Sequence, residues 1–424
     1  MEEIYVGPSE REEEWSQALW QEDNESLNRL VNEEPPGVVF FHLTVFIEGL
    51  YGQMKLTDDL RAKIVRIQPI FRALRQHLDW RQQRELFIGI MRWIKSDGCL
   101  SIVIGAGATI AAGGPSWMEL VYELLKLALE KGHEISKLLP TSDETTFVKK
   151  HIRTEHFNLE DSKEAENILK MIESHDADIE ALMRGAELCE KLFGVHIIQH
   201  INNIIYLRAS KPSQIHEAIA KLAQPVVRAG KWRVPGWASI ISYNFDNLMG
   251  DALKKEKIPH VAWAIDNEGK TRGHPDELAK KLGPDSLYQS IYHVHGYTPW
   301  MGLGVIYTGI VLSESEYTSA YGSNRLEVLD DIVKNYLMMP RFICLYVGCS
   351  FIDEAMNSLL REAATISPGR FHYAFLRLPE EFQEKEPSSK QLEDITAPYL
   401  EMGIQPVWFQ NYNEIPSLIL KLGG

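Results

Sequence analysis

The side chains best suited to chemistry lie in two short polar clusters, one with Asn244 and Asp246 and the other with His295. An asparagine carboxamide both donates and accepts hydrogen bonds, so it can hold a water molecule or a ribose hydroxyl. A neighbouring carboxylate could stabilise the cationic, oxocarbenium-like centre that develops as a glycosidic bond breaks. A histidine with an ordinary pKa near ~6.5 is a natural general base at neutral pH.

Both clusters also have a purely structural interpretation. Asn244 and Asp246 could cap a helix that begins near Leu248, and taken alone this interpretation is the stronger one. His295 could be a structural histidine, and its spacing from His293 predicts both side chains on one face of a strand. We favour His295 as the base because the glycine that follows it opens space for a ligand. No third metal ligand is evident beside the two histidines, so no metal site is expected.

A small-residue turn of sequence GAGAT occupies residues 105–109, directly after an apolar run with strand character. Glycines there let backbone N–H groups face a phosphate without interference from a Cβ atom. The alternative is a tight strand-to-helix connection that uses glycine for packing alone. Ile110 stands where the dinucleotide fingerprint of dehydrogenases needs its third glycine, which disfavours hydride transfer.

The last candidate cluster is Gly348-Cys349-Ser350, with Asp353 three residues further on, after a fully apolar run. A small residue and a hydroxyl there could meet a ribose or a second phosphate. Equally, Ser350 or Asp353 could cap a helix that is predicted to begin at Glu354. Cys349 is not favoured as a nucleophile because no adjacent base is indicated.

Strand-like and helix-like segments alternate through most of the chain, which is typical of a doubly wound sheet. The predicted strands are residues 102–104, 237–242, 260–264, 290–294, 342–347, 371–376 and 405–409. The predicted helices are residues 60–80, 85–93, 120–128 with Ser116 as N-cap, 248–255, 324–336 and 354–364. Ligands of such sheets lie beyond the carboxyl ends of the strands, where the four clusters would converge.

Two regions are expected along the chain. Residues 1–85 lack the strand–turn–helix alternation and are predicted to form a mainly helical N-terminal extension suited to assembly or partner contacts. Residues 86–424 are predicted to form an α/β domain with a doubly wound, mostly parallel, Rossmann-like sheet. A polar-faced helical insertion at about residues 133–230 is expected to cover one edge of that sheet.

Composition and charge disfavour several classes of protein. The 424 residues carry 44 basic and 59 acidic side chains, a net charge of −15, without a long basic run. Binding to nucleic acid or to an anionic membrane is therefore not expected. The apolar stretch 38–50 is shorter than the about 20 residues of a membrane span, and the acidic first residues are unlike a signal peptide. The four scattered cysteines form no Cys-x-x-Cys pair, so we expect a reduced, cytoplasmic protein.

The four motifs, in this order and at this rough spacing, resemble those of the sirtuin family from about residue 86 onward. The resemblance implies a sirtuin-type NAD-binding domain in which His295 is the catalytic base. Asn244 and Asp246 would line the nicotinamide-ribose pocket. The diphosphate of NAD would contact Gly105, Ala106, Gly107 and Thr109. The adenosine half would contact Gly348, Ser350 and Asp353, which belong to the motif Gly-x-Ser-Phe-x-Asp at residues 348–353.

The departures from the family pattern are informative. The zinc-binding cysteine pairs of deacylating sirtuins are absent, so no zinc is expected and deacylation is placed in doubt. The sequence GPSW at residues 114–117 and YNFD at residues 243–246 look like the divergent branch found in bacterial anti-phage defence. Members of that branch hydrolyse NAD to ADP-ribose and nicotinamide, within oligomers or beside a HerA-type ATPase or another phage-sensing protein.

The resemblance therefore implies an NAD⁺ glycohydrolase for which NAD is the substrate. Two alternatives stay open. One is an NAD-dependent protein deacylase, in which an acyl-lysine oxygen attacks first. The other is a catalytically silent subunit that binds NAD or ADP-ribose. A homo-oligomer or a separate partner is expected because no fused sensor domain is evident.

Overall fold

An eight-stranded sheet forms the centre of the structure, which is a computed structural model. The structure describes residues 12–21, 24–33, 78–96, 98–138, 159–227, 233–265, 271–282, 287–298, 332, 336–337, 342–351, 354–366 and 371–423. The strands are β1 (Leu100–Ile104), β2 (Val226–Val227), β3 (Arg233–Val234), β4 (Ile240–Ser242), β5 (His260–Ile265), β6 (Thr271–Pro275), β7 (Gln289–His293), β8 (Ile343–Val347), β9 (His372–Arg377) and β10 (Ile404–Phe409).

The strands of the large sheet lie in the order β10-β9-β8-β1-β4-β7-β5-β6, and β2 pairs with β3 in a separate ribbon. All neighbours in the large sheet are parallel except β6, which pairs antiparallel with β5 at one edge. Strand β1 comes first along the chain and lies in the middle of the large sheet, and the later strands lie on both sides of it. The predicted doubly wound, mostly parallel, Rossmann-like sheet is therefore confirmed.

Helices cover both faces of this sheet and build a separate block beside it. They are α1 (Glu12–Gln21), α2 (Asn24–Glu33), α3 (Trp80–Ser96), α4 (Ala106–Ile110), α5 (Trp117–Leu138), α6 (Leu159–Glu173), α7 (Ile179–Phe193), α8 (Ile197–Arg208), α9 (Gln214–Lys221), α10 (Leu248–Lys255), α11 (Glu277–Leu282), α12 (Glu354–Ile366), α13 (Ser389–Glu401) and α14 (Ile415–Leu420). The helix predicted at 248–255 has those bounds. Strand β6 and helix α11 were not predicted, because the sequence TRGHP of β6 is largely exposed and lacks the apolar run that marks a buried strand.

Side chains of β1 alternate between two buried cores. Ile102 and Ile104 belong to a core with α3, α9, α10 and α14, whereas Val103 belongs to a core with α12 and α13. Successive side chains of a strand point to opposite faces, so a strand covered on both faces needs apolar residues throughout. This is why β1 could be recognised from its sequence.

Helices α5 to α8 form a third core of their own, the helical block. Helices α6 to α8 lie within the predicted insertion, whereas the core residues of α5, from Leu120 to Ala128, precede it. Leu248, the first residue of α10, also belongs to this core and so joins the block to the sheet. Helix α9 lies in the predicted insertion as well, but Ile215 and Ile219 pack into the first core beneath the sheet. The boundaries of the insertion and of the two regions stay predictions.

Helix α3 joins the start of the α/β region to the last residues of the chain. Arg84 pairs with Glu414 at 2.8 Å, and Lys421 pairs with Glu85 at 2.7 Å. The Arg92 guanidinium donates a hydrogen bond to the main-chain carbonyl of Lys421 at 2.9 Å. The Lys421–Glu85 pair is exposed and contributes little, and the Arg84–Glu414 pair is partly buried. The apolar face of α3 in the first core adds the burial of apolar surface to this attachment.

Several predictions fall on residues that the structure does not describe. These include most of the helices predicted at 60–80 and 324–336, and the apolar stretch 38–50. In the first region, α1 and α2 lie against each other, and the side chains of Trp15 on α1 and Leu30 on α2 are fully buried. Among the described helices, none is both long and apolar enough to cross a membrane.

The buried Lys95 links stability to pH. Its side chain is 5% exposed and its Nζ lies 5.1 Å from the centre of the Trp237 ring, with no carboxylate partner among the described residues. Burial lowers the pKa of Lys95 to about 8, whereas an unfolded lysine has a pKa near ~10.4. Between these values the unfolded state binds more protons, so this group makes stability rise with pH across the window.

We predict that Lys95→Met removes this part of the pH dependence and raises the free energy of unfolding at pH 7 by about 1–3 kcal/mol, since one pKa unit corresponds to about 1.4 kcal/mol. Urea unfolding of both proteins at about pH 7 and about pH 9.5 measures the effect. The matched control is Lys390→Met, because Lys390 is exposed on α13. An unchanged difference in stability between the two pH values in Lys95→Met would contradict the prediction.

Candidate active site

The loops that follow β8, β1, β4 and β7 lie next to one another, because these four strands are neighbours in the sheet. The four sequence clusters follow these same strands, so the structure brings the described members of all four to one edge. Hydrogen bonds connect them in a chain from loop to loop. Strand topology alone predicts this convergence, and the hydrogen bonds between the loops define its geometry.

The glycine turn after β1 packs directly against the loop after β8. The amide of Gly105 donates to the carbonyl of Val347 at 3.0 Å, and the amide of Gly107 donates to the carbonyl of Gly348 at 2.9 Å. A Cβ atom on Gly105 would lie 2.5 Å from the Gly348 oxygen, and one on Gly107 would lie 2.8 Å from the Gly348 Cα. Packing alone therefore requires both glycines, and two amides of the turn are already engaged. Contact of Gly105, Ala106 and Gly107 with a diphosphate stays a prediction.

In the loop after β8, Gly348 also requires glycine because it packs against the glycine turn. Gly348 has φ +70°, in the left-handed region that favours glycine, and a Cβ atom on it would lie 2.9 Å from the Ala108 nitrogen. Burial raises the pKa of the neighbouring Cys349 to about 12, so this thiol is protonated at neutral pH. The interpretation of Cys349 as a poor nucleophile agrees with this protonation state.

The same loop holds Ser350 at the surface, where its side chain is exposed; Asp353 lies outside the described residues. Phe351 has φ +56°, which is unusual for a residue with a side chain. Its ring packs against Tyr346, and its carbonyl accepts a hydrogen bond of 2.8 Å from the Asn357 side chain on α12. Asn357 was missed from the sequence because nothing in a helical pattern marks a contact with the preceding loop.

Three polar groups of Asn244, the side-chain Nδ2, the main-chain amide and the main-chain carbonyl, form hydrogen bonds within the protein. Its side-chain Nδ2 donates to the carbonyl of Gly105 at 3.0 Å, and its amide donates to the Ser242 hydroxyl at 3.2 Å. Its carbonyl lies 3.2 Å from His293 Nδ1 and 3.4 Å from the Ser242 hydroxyl. Within the described residues, the side-chain Oδ1 accepts no hydrogen bond. Asn244 therefore presents one acceptor oxygen, while the rest of the residue is fixed.

Asp246 is 3% exposed, and both of its carboxylate oxygens accept hydrogen bonds from the protein. Oδ1 accepts from the amide of Leu248 at 2.9 Å, at the start of α10, and Oδ2 accepts from the hydroxyl of Thr109. Asp246 thus satisfies the first amide of α10 from the position before the N-cap, while the N-cap residue itself is Asn247, whose side chain makes no capping hydrogen bond. The same carboxylate also ties the glycine turn to the loop after β4, and its role toward a reacting sugar stays a prediction.

His293 and His295 have different surroundings. The strand ends at His293, and His295 lies beyond it in a turn with Gly296 at φ +95°. The His295 ring meets the edge of the Tyr243 ring at 4.9 Å between centroids, whereas the His293 ring packs on Tyr297 at 4.4 Å. The prediction that alternation places both histidines on one face is wrong, because it requires a strand that continues through residue 295.

The helical block contacts these loops through the apolar packing of Phe245 on its core and through the Tyr206 hydroxyl. The hydroxyl of Tyr206 on α8 accepts from the Asn247 amide at 2.7 Å and donates to the Thr298 carbonyl at 3.0 Å. Burial raises the pKa of Tyr206, so the hydroxyl keeps the proton that it donates. Tyr206 therefore connects the loops after β4 and β7, and only the folded structure reveals this connection.

The predicted helix cap at Ser116 is present. The Ser116 hydroxyl accepts from the Glu119 amide at 3.2 Å, and the Ser116 amide donates to the Glu119 carboxylate at 2.7 Å. This reciprocal pair fixes the start of α5 at Trp117, a short distance after the glycine turn.

No group of three or more His, Cys, Asp or Glu side chains in the described part of the chain is arranged to hold a metal ion. The four cysteines are free thiols, of which Cys99, Cys189 and Cys344 are buried.

Comparison with known protein families gives one match at this site. Residues 238–398 match the family model of the SIR2-like domain, which supports a sirtuin-like family for the chain. The matched range contains Asn244, Asp246, His295 and Gly348, whereas the glycine turn and the helical block precede it. The match implies the use of NAD and is consistent with an NAD-dependent enzyme. A search of curated proteins finds no match to the chain.

We predict that Gly348→Ala destabilises the protein by about 2–4 kcal/mol. The left-handed backbone costs a residue with a Cβ about 1–2 kcal/mol, and the overlap with Ala108 adds to this cost. Gly89→Ala in α3 is the matched control, because a Cβ there meets nothing within 4 Å. The control should be neutral or stabilising by up to about 1 kcal/mol. Chemical denaturation measures both, and equal stabilities would disprove the backbone constraint.

Proposed function

We propose that the chain is an NAD⁺ glycohydrolase that cleaves NAD to ADP-ribose and nicotinamide. The observation that carries the proposal is the open Oδ1 of Asn244, in a residue whose other polar groups are all hydrogen-bonded. A buried residue with one available acceptor is suited to orient a water molecule or a ribose hydroxyl. The SIR2-like match over this part of the chain supports NAD as the ligand.

The reaction breaks the bond between nicotinamide and the ribose C1′ carbon. The bonding electron pair goes to the nicotinamide nitrogen, which becomes neutral, and positive charge develops on the ribose as an oxocarbenium-like centre. A water molecule then bonds to C1′ and gives up a proton. The products are nicotinamide, ADP-ribose and one proton, so atoms and charge balance.

Each predicted residue has a role in this scheme. Asn244 holds the attacking water through Oδ1, and His295 takes the proton from that water as general base. The Asp246 carboxylate lies in the same loop as Asn244 and stabilises the developing positive charge through space. The edge contact with Tyr243 limits the orientations of the His295 ring. Positioning and electrostatics supply most of the acceleration.

The NAD diphosphate contacts the glycine turn and Thr109 in this proposal, and the adenosine half contacts the loop of Gly348 and Ser350. The tight packing of these two loops against each other supports a single, preformed binding surface. Because the amides of Gly105 and Gly107 are engaged with the loop after β8, the remaining groups of the turn must make the diphosphate contacts.

We further propose that NAD cleavage depletes NAD in bacterial anti-phage defence. In this role the chain works as a homo-oligomer or beside a separate HerA-type ATPase or another phage-sensing protein. The support is the resemblance of residues 114–117 and 243–246 to the divergent sirtuin-like branch.

We predict that the purified chain releases nicotinamide from NAD without any acetyl-lysine peptide. Asn244→Ala and His295→Ala should each lower turnover by at least about 100-fold, the usual scale for a lost general base or water-binding group. Chromatographic quantification of nicotinamide and ADP-ribose measures turnover. His175→Ala is the control, because His175 is exposed in the helical block and should keep wild-type turnover.

Three other results would each contradict the proposal in a different way. Release of nicotinamide only in the presence of an acetyl-lysine peptide would identify a deacylase. NAD binding by calorimetry without any release would identify a silent binding subunit. Wild-type turnover in both Asn244→Ala and His295→Ala would remove these residues from the mechanism.

A separate prediction tests whether the charge of Asp246 acts in the reaction or whether the residue serves only as a cap. Asp246→Asn keeps an acceptor oxygen for the Leu248 amide but removes the negative charge. Turnover should fall about 10- to 100-fold while the melting temperature stays within a few degrees. Thr109→Val, which keeps the charge but removes its hydroxyl partner, should lower turnover less. Wild-type turnover in Asp246→Asn would leave Asp246 as a cap alone.

A further inference from the structure

His293 is the last residue of β7 and is 1% exposed. It is paired with Ser242 of β4 in the register of the sheet, so its ring lies beside the loop that carries Asn244. The Nδ1 atom of His293 lies 3.2 Å from the main-chain carbonyl oxygen of Asn244. A buried histidine therefore touches the residue that presents the open acceptor of the proposed site.

The chemistry of this contact determines the tautomer of His293. A carbonyl oxygen can only accept a hydrogen bond, so Nδ1 must carry the proton. A neutral imidazole has one N–H group, which leaves Nε2 as an unprotonated acceptor. Among the described residues, Nε2 has no hydrogen-bond partner, although it is buried. The ring is thus engaged through one nitrogen only.

The surroundings keep His293 neutral. Burial lowers its pKa to about 4, although the hydrogen bond to Asn244 and the charge of Asp246 raise it in part. His274 and His260 act in the lowering direction, and the Tyr297 ring covers one side of the imidazole. His293 therefore does not titrate near neutral pH and is a poor general base there.

The loops after β4 and β7 are joined by a row of bonds, and His293 supplies one of them. The amide of Val294 donates to the carbonyl of Ser242 at 2.9 Å, and the amide of Thr298 donates to the carbonyl of Phe245 at 2.7 Å. The Asn244 carbonyl lies between these two along the chain, and within the described residues it receives hydrogen bonds from side chains only. The shorter comes from His293 and the longer, at 3.4 Å, from the Ser242 hydroxyl.

We propose that His293 is a positioning residue for the NAD-cleaving site, whose Nδ1–H group holds the Asn244 main chain so that Oδ1 of Asn244 stays oriented toward the reacting water. The proposal rests on the proposed function. It gives the two neighbouring histidines different tasks: His295 exchanges a proton with the reacting water, and His293 keeps its own proton and fixes the residue that holds that water.

Substitutions of His293 test this role. Asparagine can place an amide N–H near the position of Nδ1, whereas leucine cannot donate a hydrogen bond. His293→Leu should lower kcat by about 30-fold or more with KM for NAD changed less than about threefold, because the water rather than NAD loses its orientation. His293→Asn should restore kcat to within about threefold of the wild type. Nicotinamide release gives both constants, and thermal unfolding verifies that each variant is folded.

The matched control is His260→Leu. His260 is also a buried histidine with Nδ1 at hydrogen-bond distance, 3.1 Å, from a main-chain carbonyl, but that carbonyl belongs to Ile258, outside the four loops. Loss of kcat in His260→Leu equal to that in His293→Leu would show a general effect of burial and overturn the positioning role. Equal kcat in His293→Leu and His293→Asn would overturn it as well.

Nitrogen NMR of the histidine-labelled chain gives a readout that does not depend on activity. The wild type should show an Nδ1–H tautomer that does not titrate between about pH 5.5 and about pH 8 and that disappears in His293→Asn. The Nδ1–H signal of His260, whose Nδ1 also faces a main-chain carbonyl, should remain in that variant. A His293 ring that is protonated at Nε2, in an active enzyme, would overturn this inference alone. A wild-type chain with the expected tautomer that releases no nicotinamide would overturn the proposed function and the positioning role with it.

Discussion

The close backbone contact between the turn after β1 and the loop after β8 is the constraint on which the site depends. Gly105 and Gly107 lie so near Gly348 that no Cβ atom fits at any of the three positions. Two amide-to-carbonyl bonds run across this contact and extend the pairing of the two parallel strands beyond their ends. The contact fixes where α4 begins, and hence where Thr109 can meet Asp246. The loop after β4 is joined to the glycine turn through Asp246 and through the hydrogen bond from Asn244 Nδ2 to Gly105, and the loop after β7 is joined in turn to the loop after β4.

Because of this constraint, the turn after β1 has a mainly structural role, and the groups suited to chemistry lie in other loops. The glycine turn was attractive as a phosphate cradle because its amides lack a screening side chain, yet the space that the missing side chains leave is filled by protein. Its structural role is therefore established by contacts, while its role in binding rests on the amides that stay available. The polar groups with capacity for chemistry follow β4 and β7, where Asn244 and His295 lie. These residues also fall within the SIR2-like match, whereas the turn precedes it.

The sequence predicts the elements better than it predicts their contacts. Strands such as β8 could be recognised because they are apolar on both faces, and the four clusters could be placed at one edge because parallel strands share it. Strand β6 could not be predicted because it is largely exposed and pairs antiparallel at the edge of the sheet, so it has no apolar run. The end of β7 at His293 decides the surroundings of both histidines, and strand ends are poorly encoded in local sequence. Tyr206 and Asn357 were missed because long-range or loop contacts alone give them importance.

The hydrogen bond from Asn244 Nδ2 to the Gly105 carbonyl fixes the orientation of the Asn244 carboxamide. The carboxamide of an exposed asparagine could orient water in many ways, because both of its polar atoms are available. Here Nδ2 is committed to Gly105, so the side chain cannot rotate without the loss of a buried hydrogen bond. The turn after β1 thus acts on the proposed reaction without supplying a reacting group, because it determines which atom of Asn244 faces the ligand. In the proposed reaction, the tightly packed glycine turn is for this reason a positioning element for the water that Asn244 would hold.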